Sequence, residues 1–278
     1  MTVLVFTLLL AAGSVLAGLL GALTGLGGGI IIVPLLTLGF GVDIRYAIGA
    51  SLVSVIATSS GAAAAYVREG YTNIRIGMLL EVGTVFGALV GAYLAGVVST
   101  SAIAIIFAGI LIWTSINSLR PHPDHGSDAP SHPLATRLRL NSTFPTPEGP
   151  RHYTVQNVPA GFGLMVVAGV LSGLLGIGSG VVKVLAMDQA MRLPFKVSTT
   201  TSNFMIGVTA AASAGVYLHR GYIAPVVAVP VMLGVLTGAL VGARILTVAK
   251  ARHLRTLFTV VMIVLAVQML YKALTGAI

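Results

Sequence analysis

Two glycine-rich turns, one lysine, two carboxylates and a run of hydroxyls are the residues here with chemistry to offer. Gly25-Leu26-Gly27-Gly28-Gly29 and Gly176-Ile177-Gly178-Ser179-Gly180 each interrupt apolar sequence. Glycine lets the chain turn sharply and leaves its peptide N–H groups bare. Within a membrane such a break is tolerated only where it is buried in protein or lines a cavity. Breaks at corresponding places in two halves point to a binding site of the transporter kind. A half-helix starting near Gly29 or Gly180 directs free N–H groups and a positive dipole end at whatever faces it, which suits an anion. Gly27, Gly28 and Gly29 in the first turn, with Ser179 and Gly180 in the second, are therefore candidate anion ligands. The competing reading is that the glycines only let the turns pack tightly.

Lys183 stands in the first turn of the second half-helix, where Ile32 stands in the first. A cation there meets the unfavourable end of the dipole and is costly in hydrocarbon unless partnered. A bound anion relieves both problems; an ion pair with Glu81 or Asp188 is the alternative. Those two are the only acids among seven that fall within apolar spans, and intramembrane carboxylates often carry protons. Glu81 and Asp188 are thus candidates for proton coupling. The run Ser198-Thr199-Thr200-Thr201-Ser202-Asn203, with Ser51 and Ser54 at the matching place in the first half, is denser in hydroxyls than a lipid-facing helix requires. Thr200, Thr201, Ser202, Asn203 and Ser51 can donate to anion oxygens, or bond to their own helix or its neighbours.

The elements that must hold these residues are membrane helices. Of 278 residues, 56% are hydrophobic and 8% charged, and the mean hydropathy is +0.99, whereas soluble domains carry about 25% charged residues. A net charge of +9 fits basic cytoplasmic loops better than nucleic-acid binding. Cysteine is absent, which removes thiolate chemistry and disulfides. Met1-Thr2-Val3-Leu4 lacks a basic n-region and reads as mature structure. No phosphate loop and no haem or metal motif is present, so transport energy would come from gradients and neither an enzyme nor a cofactor is expected.

Apolar spans run at about 3–24, 30–40, 46–66, 74–97 and 101–119, then at 158–175, 181–191, 197–218, 222–248 and 254–275. A crossing needs roughly 20 residues, so 30–40 and 181–191 read as second legs of re-entrant hairpins. A single shift of 151 positions carries Gly25 onto Gly176, Arg45 onto Lys196, Ser51 onto Ser202, Tyr66 onto Tyr217 and Tyr71 onto Tyr222. The same shift lays Gly83, Gly87 and Gly91 on Gly234, Gly238 and Gly242. The expectation is an all-α membrane protein of two repeats, each a re-entrant hairpin plus three spans: residues 1–119, a linker at 120–157, and residues 158–278.

Three spans per repeat invert the second half. One side then carries Arg45, Arg220 and Lys272, and the other carries 12 of the 16 basic residues, with Lys183 left within the membrane. The positive-inside rule selects this arrangement, with both termini outside and the linker cytoplasmic. The linker holds seven of the 12 prolines and four of the six histidines and reads as a flexible solvated loop. His122 and His125 lack further ligands, so no metal site is expected. The Gly-x3-Gly series let helices approach closely, within one chain or at a homodimer seam. Tyr66, Tyr217, Tyr71 and Tyr222 lie at span ends and read as interface anchors.

Gly25-Leu26-Gly27-Gly28-Gly29, then Val33-Pro34-Leu35, a basic residue and a Gly/Ala-Ser step (Arg45 to Ser51), all repeated after a hydrophilic middle, resemble the TauE/SafE sulfite exporter family, also called the toluene sulfonate uptake permease family. The resemblance covers nearly the whole chain outside 120–157. The second turn departs from the family pattern at Ser179 and at Leu185, which stands where the first copy has Pro34; Lys183 is not carried over from the family. What the resemblance implies is movement of small sulfur-containing anions, such as sulfite, sulfoacetate and other organosulfonates, across the bacterial inner membrane. The expected function is a secondary transporter exporting such an anion by alternating access around a site between the hairpin tips. An anion or metal-ion channel, or a membrane subunit that scaffolds a partner through 120–157, are the other classes considered.

Overall fold

The computed structural model describes residues 3–24, 28–68, 70–118, 131–146, 148–246 and 251–276. Gly25, Gly27, His122 and His125 lie outside them. Helix α1 (Val3–Thr24) leads to the first glycine turn. After it, α2 (Gly29–Pro34) continues without a break as a π-helical segment, Leu35–Gly39. Three longer helices follow: α3 (Ile44–Arg68), α4 (Ile74–Leu94) and α5 (Thr100–Ser118). The second half repeats the series as α7 (Val158–Leu175), α8 (Gly180–Leu185) with its π-helical extension Ala186–Ala190, α9 (Phe195–His219), α10 (Pro225–Leu246) and α11 (Ala251–Leu274). Between the halves lie a short α6 (Pro133–Arg137) and an antiparallel hairpin of β1 (Ser142–Thr146) and β2 (Gly149–Tyr153). Among the described residues, Ile74–Leu94, Thr100–Asn117 and Val158–Leu175 are long and apolar enough to cross a membrane, and the other long helices contain shorter apolar stretches. The protein is all-helical in its apolar part, as expected of an integral membrane protein.

The 151-residue shift found in the sequence governs the backbone. It carries the first residue of α2, α3, α4 and α5 onto the first residue of α8, α9, α10 and α11, and both π-helical segments coincide. Packing obeys the same exchange. Helix α1 lies against α10 and α7 against α4; α3 meets α9 and α10, while α9 meets α3 and α4; α5 meets α11. Individual contacts swap as well. Arg45 sits over the Tyr222 ring at 5.8 Å, and Lys196 over the Tyr71 ring at 5.5 Å. Each repeat thus stacks its basic residue on the tyrosine of the other.

Glycine makes the tightest of these contacts possible. A Cβ on Gly87 would fall 2.1 Å from the Val166 carbonyl oxygen, and one on Gly91 2.0 Å from that of Val170. The equivalent seam places Gly238 against the Val15 carbonyl at 2.0 Å and Gly18 against that of Val235 at 2.3 Å. The Gly-x3-Gly series are therefore occupied by helix pairs inside one chain.

Two sequence expectations are corrected. Tyr217 is not an interface anchor: it is 1% exposed, and its hydroxyl donates to the Gly173 carbonyl at 3.0 Å. A ring at this position fills the joint beneath the second turn. Residues 131–157 are not a solvated loop either. Ala135, Leu140, Tyr153 and Val155 are buried in a cluster with Ile76, Met187 and Leu193. The Asn73 side chain donates to the Leu140 carbonyl at 2.9 Å and to the Tyr153 hydroxyl at 2.7 Å, and the Gln156 N–H donates to the Met191 carbonyl at 3.1 Å. Burial raises the Tyr153 pKa above the usual phenol range, although the Asn73 and Ser142 hydrogen bonds pull it down. Enough apolar side chains alternate with the prolines to give this segment a core of its own against the helix ends.

Gly87→Ala is expected to cost about 1–3 kcal/mol by overpacking the α4–α7 seam. Gly109→Ala in α5, where a Cβ meets nothing within 4 Å, should be neutral or stabilising. Thermal unfolding of both variants in detergent checks the contrast, and equal melting temperatures would remove the close-packing account.

Candidate functional site

The described end of the first glycine turn, Gly28 and Gly29, meets the second turn in the interior. Gly29, at the start of α2, is buried, and a Cβ on it would lie 3.2 Å from the Gly176 carbonyl oxygen and 2.8 Å from the Ser51 hydroxyl. The Ser51 hydroxyl sits between the tips, 2.8 Å from the Gly176 carbonyl and 3.3 Å from that of Gly29. Its counterpart Ser202 donates to the Gly180 carbonyl at 3.2 Å. Both turns thus bring a serine of the following long helix onto the first carbonyl of the short leg, and Ser51 also reaches the Gly176 carbonyl, one of the acceptors left over where α7 ends.

The second turn differs from the first at Ser179, the counterpart of Gly28. Gly176 and Gly178 have φ of 67° and 69°, and Ser179 is forced into the same left-handed region at 46°. Gly28, its counterpart, is right-handed at −64°. The Ser179 hydroxyl is buried and has no hydrogen-bond partner among the described residues. A non-glycine residue held in this conformation is strained by roughly 1–3 kcal/mol, and an unsatisfied buried hydroxyl adds a desolvation cost.

Behind this turn lies a buried charged triad. The Lys183 ammonium, 0% exposed, donates to the Thr209 hydroxyl at 2.5 Å, which donates to Glu81 Oε1 at 2.6 Å. Glu81 Oε2 is 3.9 Å from the ammonium. Three elements converge here: α8 brings the lysine, α9 the threonine and α4 the carboxylate. Repeat equivalence makes the triad stand out, because Ile32, Thr58 and Met232 occupy the matching places in the other half. Ile32 is buried in the apolar core, and Thr58 donates to the Ser54 carbonyl of its own helix at 3.0 Å. The scaffold is two-fold and the charge is one-sided.

The remaining expected residues divide. Thr200 donates to the Lys196 carbonyl of its own helix at 2.9 Å, and the Thr201 hydroxyl accepts from the Asn73 N–H at 3.1 Å. These two shape the start of α9 and the α3–α4 turn. Asn203 is half-buried on α9. Asp188 is fully buried in the π-helical extension of α8. Thr209 is absent from the sequence-derived set although it joins the other two members of the triad. Its signal was spacing: it lies seven positions after Ser202, hence on the same helical face. No group of three or more His, Asp or Glu able to hold a metal exists among the described residues.

An all-helical membrane fold with broken helices meeting inside it defines a transporter-type architecture. Residues 10–269 match the sulfite exporter TauE/SafE family, and the chain belongs to that family. It is 26% identical to the probable membrane transporter protein YunE of Bacillus subtilis (strain 168), covering 97% of this chain and 98% of that one. It is 29% identical to the probable membrane transporter protein YdhB of the same strain, covering 82% and 86%. A probable membrane transporter protein, ORF9, of a Sinorhizobium species is 25% identical over 92% of this chain and 88% of that one. No solved structure matches the chain. The protein is a membrane transporter.

Removing one partner of a buried ion pair costs about 3–5 kcal/mol, whereas removing both together is often close to neutral. Glu81→Gln and Lys183→Met should therefore each destabilise the protein strongly, and the two together much less. Thr209→Val, which breaks the hydroxyl bridge, should cost about 1–3 kcal/mol. A thermal-unfolding double-mutant cycle reads the coupling, and additive single effects would mean that the triad is not a unit.

Proposed function

We propose that this protein exports a small sulfur-containing anion, an organosulfonate or sulfite, across the bacterial inner membrane as a secondary transporter. The observation that carries the reading is the meeting of the two broken-helix tips, with Ser51 spanning them and the buried, unpartnered Ser179 hydroxyl beside them. Free N–H groups at Gly28, Gly29 and Gly180, the Ser179 hydroxyl and the charge of Lys183 one turn further along form a donor set for sulfonate oxygens. Ser202 and Asn203 complete its wall. Family membership supports a transporter, and the family's printed description supports sulfite chemistry. The hairpins shift against the long helices to expose the anion to each side in turn.

The repeats are inverted in the membrane. Supporting contacts lie at both ends of the bundle. Phe6 of α1 packs on Phe40 after the first hairpin, and the Lys272 ammonium donates to the Leu38 carbonyl, while Arg45 and Arg220 donate to carbonyls between Ala92 and Val98. Asn73, the segment 131–157 and the exit of the second hairpin at Met191 are joined at the other end. This second end is the basic one and faces the cytoplasm.

Two experiments test these statements. Calorimetric titration of purified protein with sulfite, sulfoacetate, methanesulfonate, sulfate, acetate and chloride should show a sulfur anion binding, with the affinity lost in Lys183→Ala. Unchanged affinity in that variant would remove Lys183 from the site, and a response to chloride alone would favour a channel. For orientation, the natural absence of cysteine makes single-cysteine labelling simple. Glu148→Cys should react with a membrane-impermeant maleimide only in inside-out vesicles, and Thr275→Cys only in intact spheroplasts; the opposite pattern would reverse the orientation.

A further inference from the structure

We infer that Glu81 is the proton-binding group of this transporter, and that one proton enters with each anion because Glu81 and the anion compete for Lys183. The inference rests on the anion-site reading above and adds the coupling ion to it.

The triad is neutral as a whole: one ammonium, one carboxylate and a hydroxyl between them. All three are buried. Next to them in sequence, Leu80 of α4 and Met205 of α9 belong to a buried apolar cluster with Met165 of α7, and the neighbouring hydroxyls of Thr84 and Ser213 are spent on helix carbonyls. Burying an uncompensated charge in such a place is expensive. A sulfonate arriving at the adjoining tip would bring one negative charge into a site with no net positive charge to meet it. Adding a proton to a Glu81 carboxylate oxygen changes both terms. Glu81 becomes a neutral acid, and Lys183 is left with one unpaired positive charge for the anion.

The hydrogen-bond pattern suits that exchange. In the closed triad, Lys183 donates to Thr209 and Thr209 donates to Glu81 Oε1. When Glu81 carries a proton, its hydroxyl can donate to Thr209 or to a backbone carbonyl. The Thr209 hydroxyl then turns to the Met205 carbonyl, which already lies 3.0 Å away. The ammonium is released without leaving a hydroxyl unsatisfied. No bond other than the O–H on Glu81 forms, and the proton comes from water on the side to which the site is open. Returning the proton on the other side re-forms the pair with Lys183 and expels the anion. An empty carrier that re-forms its pair can reset without a buried net charge.

Groups facing Glu81 from its neighbours are few. Helix α8 presents Lys183, and α9 presents Thr209. Asp188, in the segment that continues α8, is the other buried acid among the described residues and serves as the control. Lys196 at the start of α9 is engaged by the Tyr71 ring. The one-sided charge of a two-fold scaffold is explained by this role: a single proton per cycle needs a single carboxylate and a single ammonium, whereas packing alone is served at the matching places by Ile32, Thr58 and Met232.

The test is calorimetric titration of the full chain in detergent with methanesulfonate and with ethanesulfonate, monoanions that do not titrate near neutral pH. Each titration is repeated in buffers of different ionisation enthalpy to count protons. The expected result is uptake of about one proton per bound anion, with affinity falling about tenfold per pH unit at high pH. Glu81→Gln, the neutral mimic, should bind the same anion with no proton uptake and no such pH dependence, while Asp188→Asn should keep both. Anion binding by the natural protein with no proton uptake overturns the inference and leaves the anion site standing. Uptake that survives Glu81→Gln, or that disappears in Asp188→Asn, overturns the assignment to Glu81. Failure of every sulfur anion to bind removes the anion site and the inference together. The proton count on the natural protein decides the matter even where a variant does not fold.

Discussion

A peptide group in hydrocarbon finds its hydrogen bond inside the protein or goes without, and leaving it unmade costs several kcal/mol. A helix that stops midway breaks this rule at both of its ends. Several contacts in this chain answer that problem. The Ser51 hydroxyl donates to the Gly176 carbonyl, left over where α7 ends. The Tyr217 hydroxyl donates to Gly173 at the foot of the second turn. Glycines in α1, α4, α7 and α10 let backbones approach until carbonyl oxygens lie where side chains would otherwise stand. The tips are then held by one another, not by lipid.

Two-fold packing and one-sided charge serve different ends. Exchange of contacts between halves makes the scaffold stable in the same way twice: the α1–α10 and α4–α7 seams are one solution used in duplicate. Chemistry enters by departures from that symmetry. Ser179 in place of Gly28 brings a hydroxyl and a left-handed backbone to one tip only. Lys183 and Glu81 stand where the other half has Ile32 and Met232, and they turn a threonine common to both halves, Thr209, into a bridge. A local rule broken at a small number of places in an otherwise consistent fold is where function is expected to lie.

Helix positions were legible in the sequence because hydrocarbon demands long apolar stretches, and the repeat was legible because one ungapped shift accounts for widely separated polar residues. Arg45 stacks on Tyr222 and Lys196 on Tyr71, across the repeats, which an intrachain shift cannot say. The folded part of the linker was not legible. Pro133, Pro145 and Pro150 suggested a loop, while Leu140, Phe144, Tyr153 and Val155 were too few to read as a core until Ile76, Met187 and Leu193 closed over them. Lys183 was read correctly as a residue needing a partner, with Glu81 among the alternatives. The hydroxyl between them was missed because a lone threonine in an apolar helix ordinarily bonds to its own backbone, as Thr58 does.

The end of the bundle away from the linker shows how few charges a membrane protein needs when each is fixed. Arg45 donates to the carbonyls of Ala95 and Val98, and Arg220 to those of Ala92 and Tyr93. These are the carbonyls left over where α4 ends, so the two guanidiniums act as its C-terminal caps and oppose the negative end of its dipole. Arg220 also stacks on the Tyr93 ring at 4.9 Å. Arginine suits this work because its planar fork can hold two acceptors at once. The equivalent of Arg45 at the linker end is Lys196, which has a ring beneath it but no carbonyl fork. The same position thus carries a fixed clamp at one end and a point charge at the other. A clamp at the far end of α4 holds one terminus of the helix that carries Glu81.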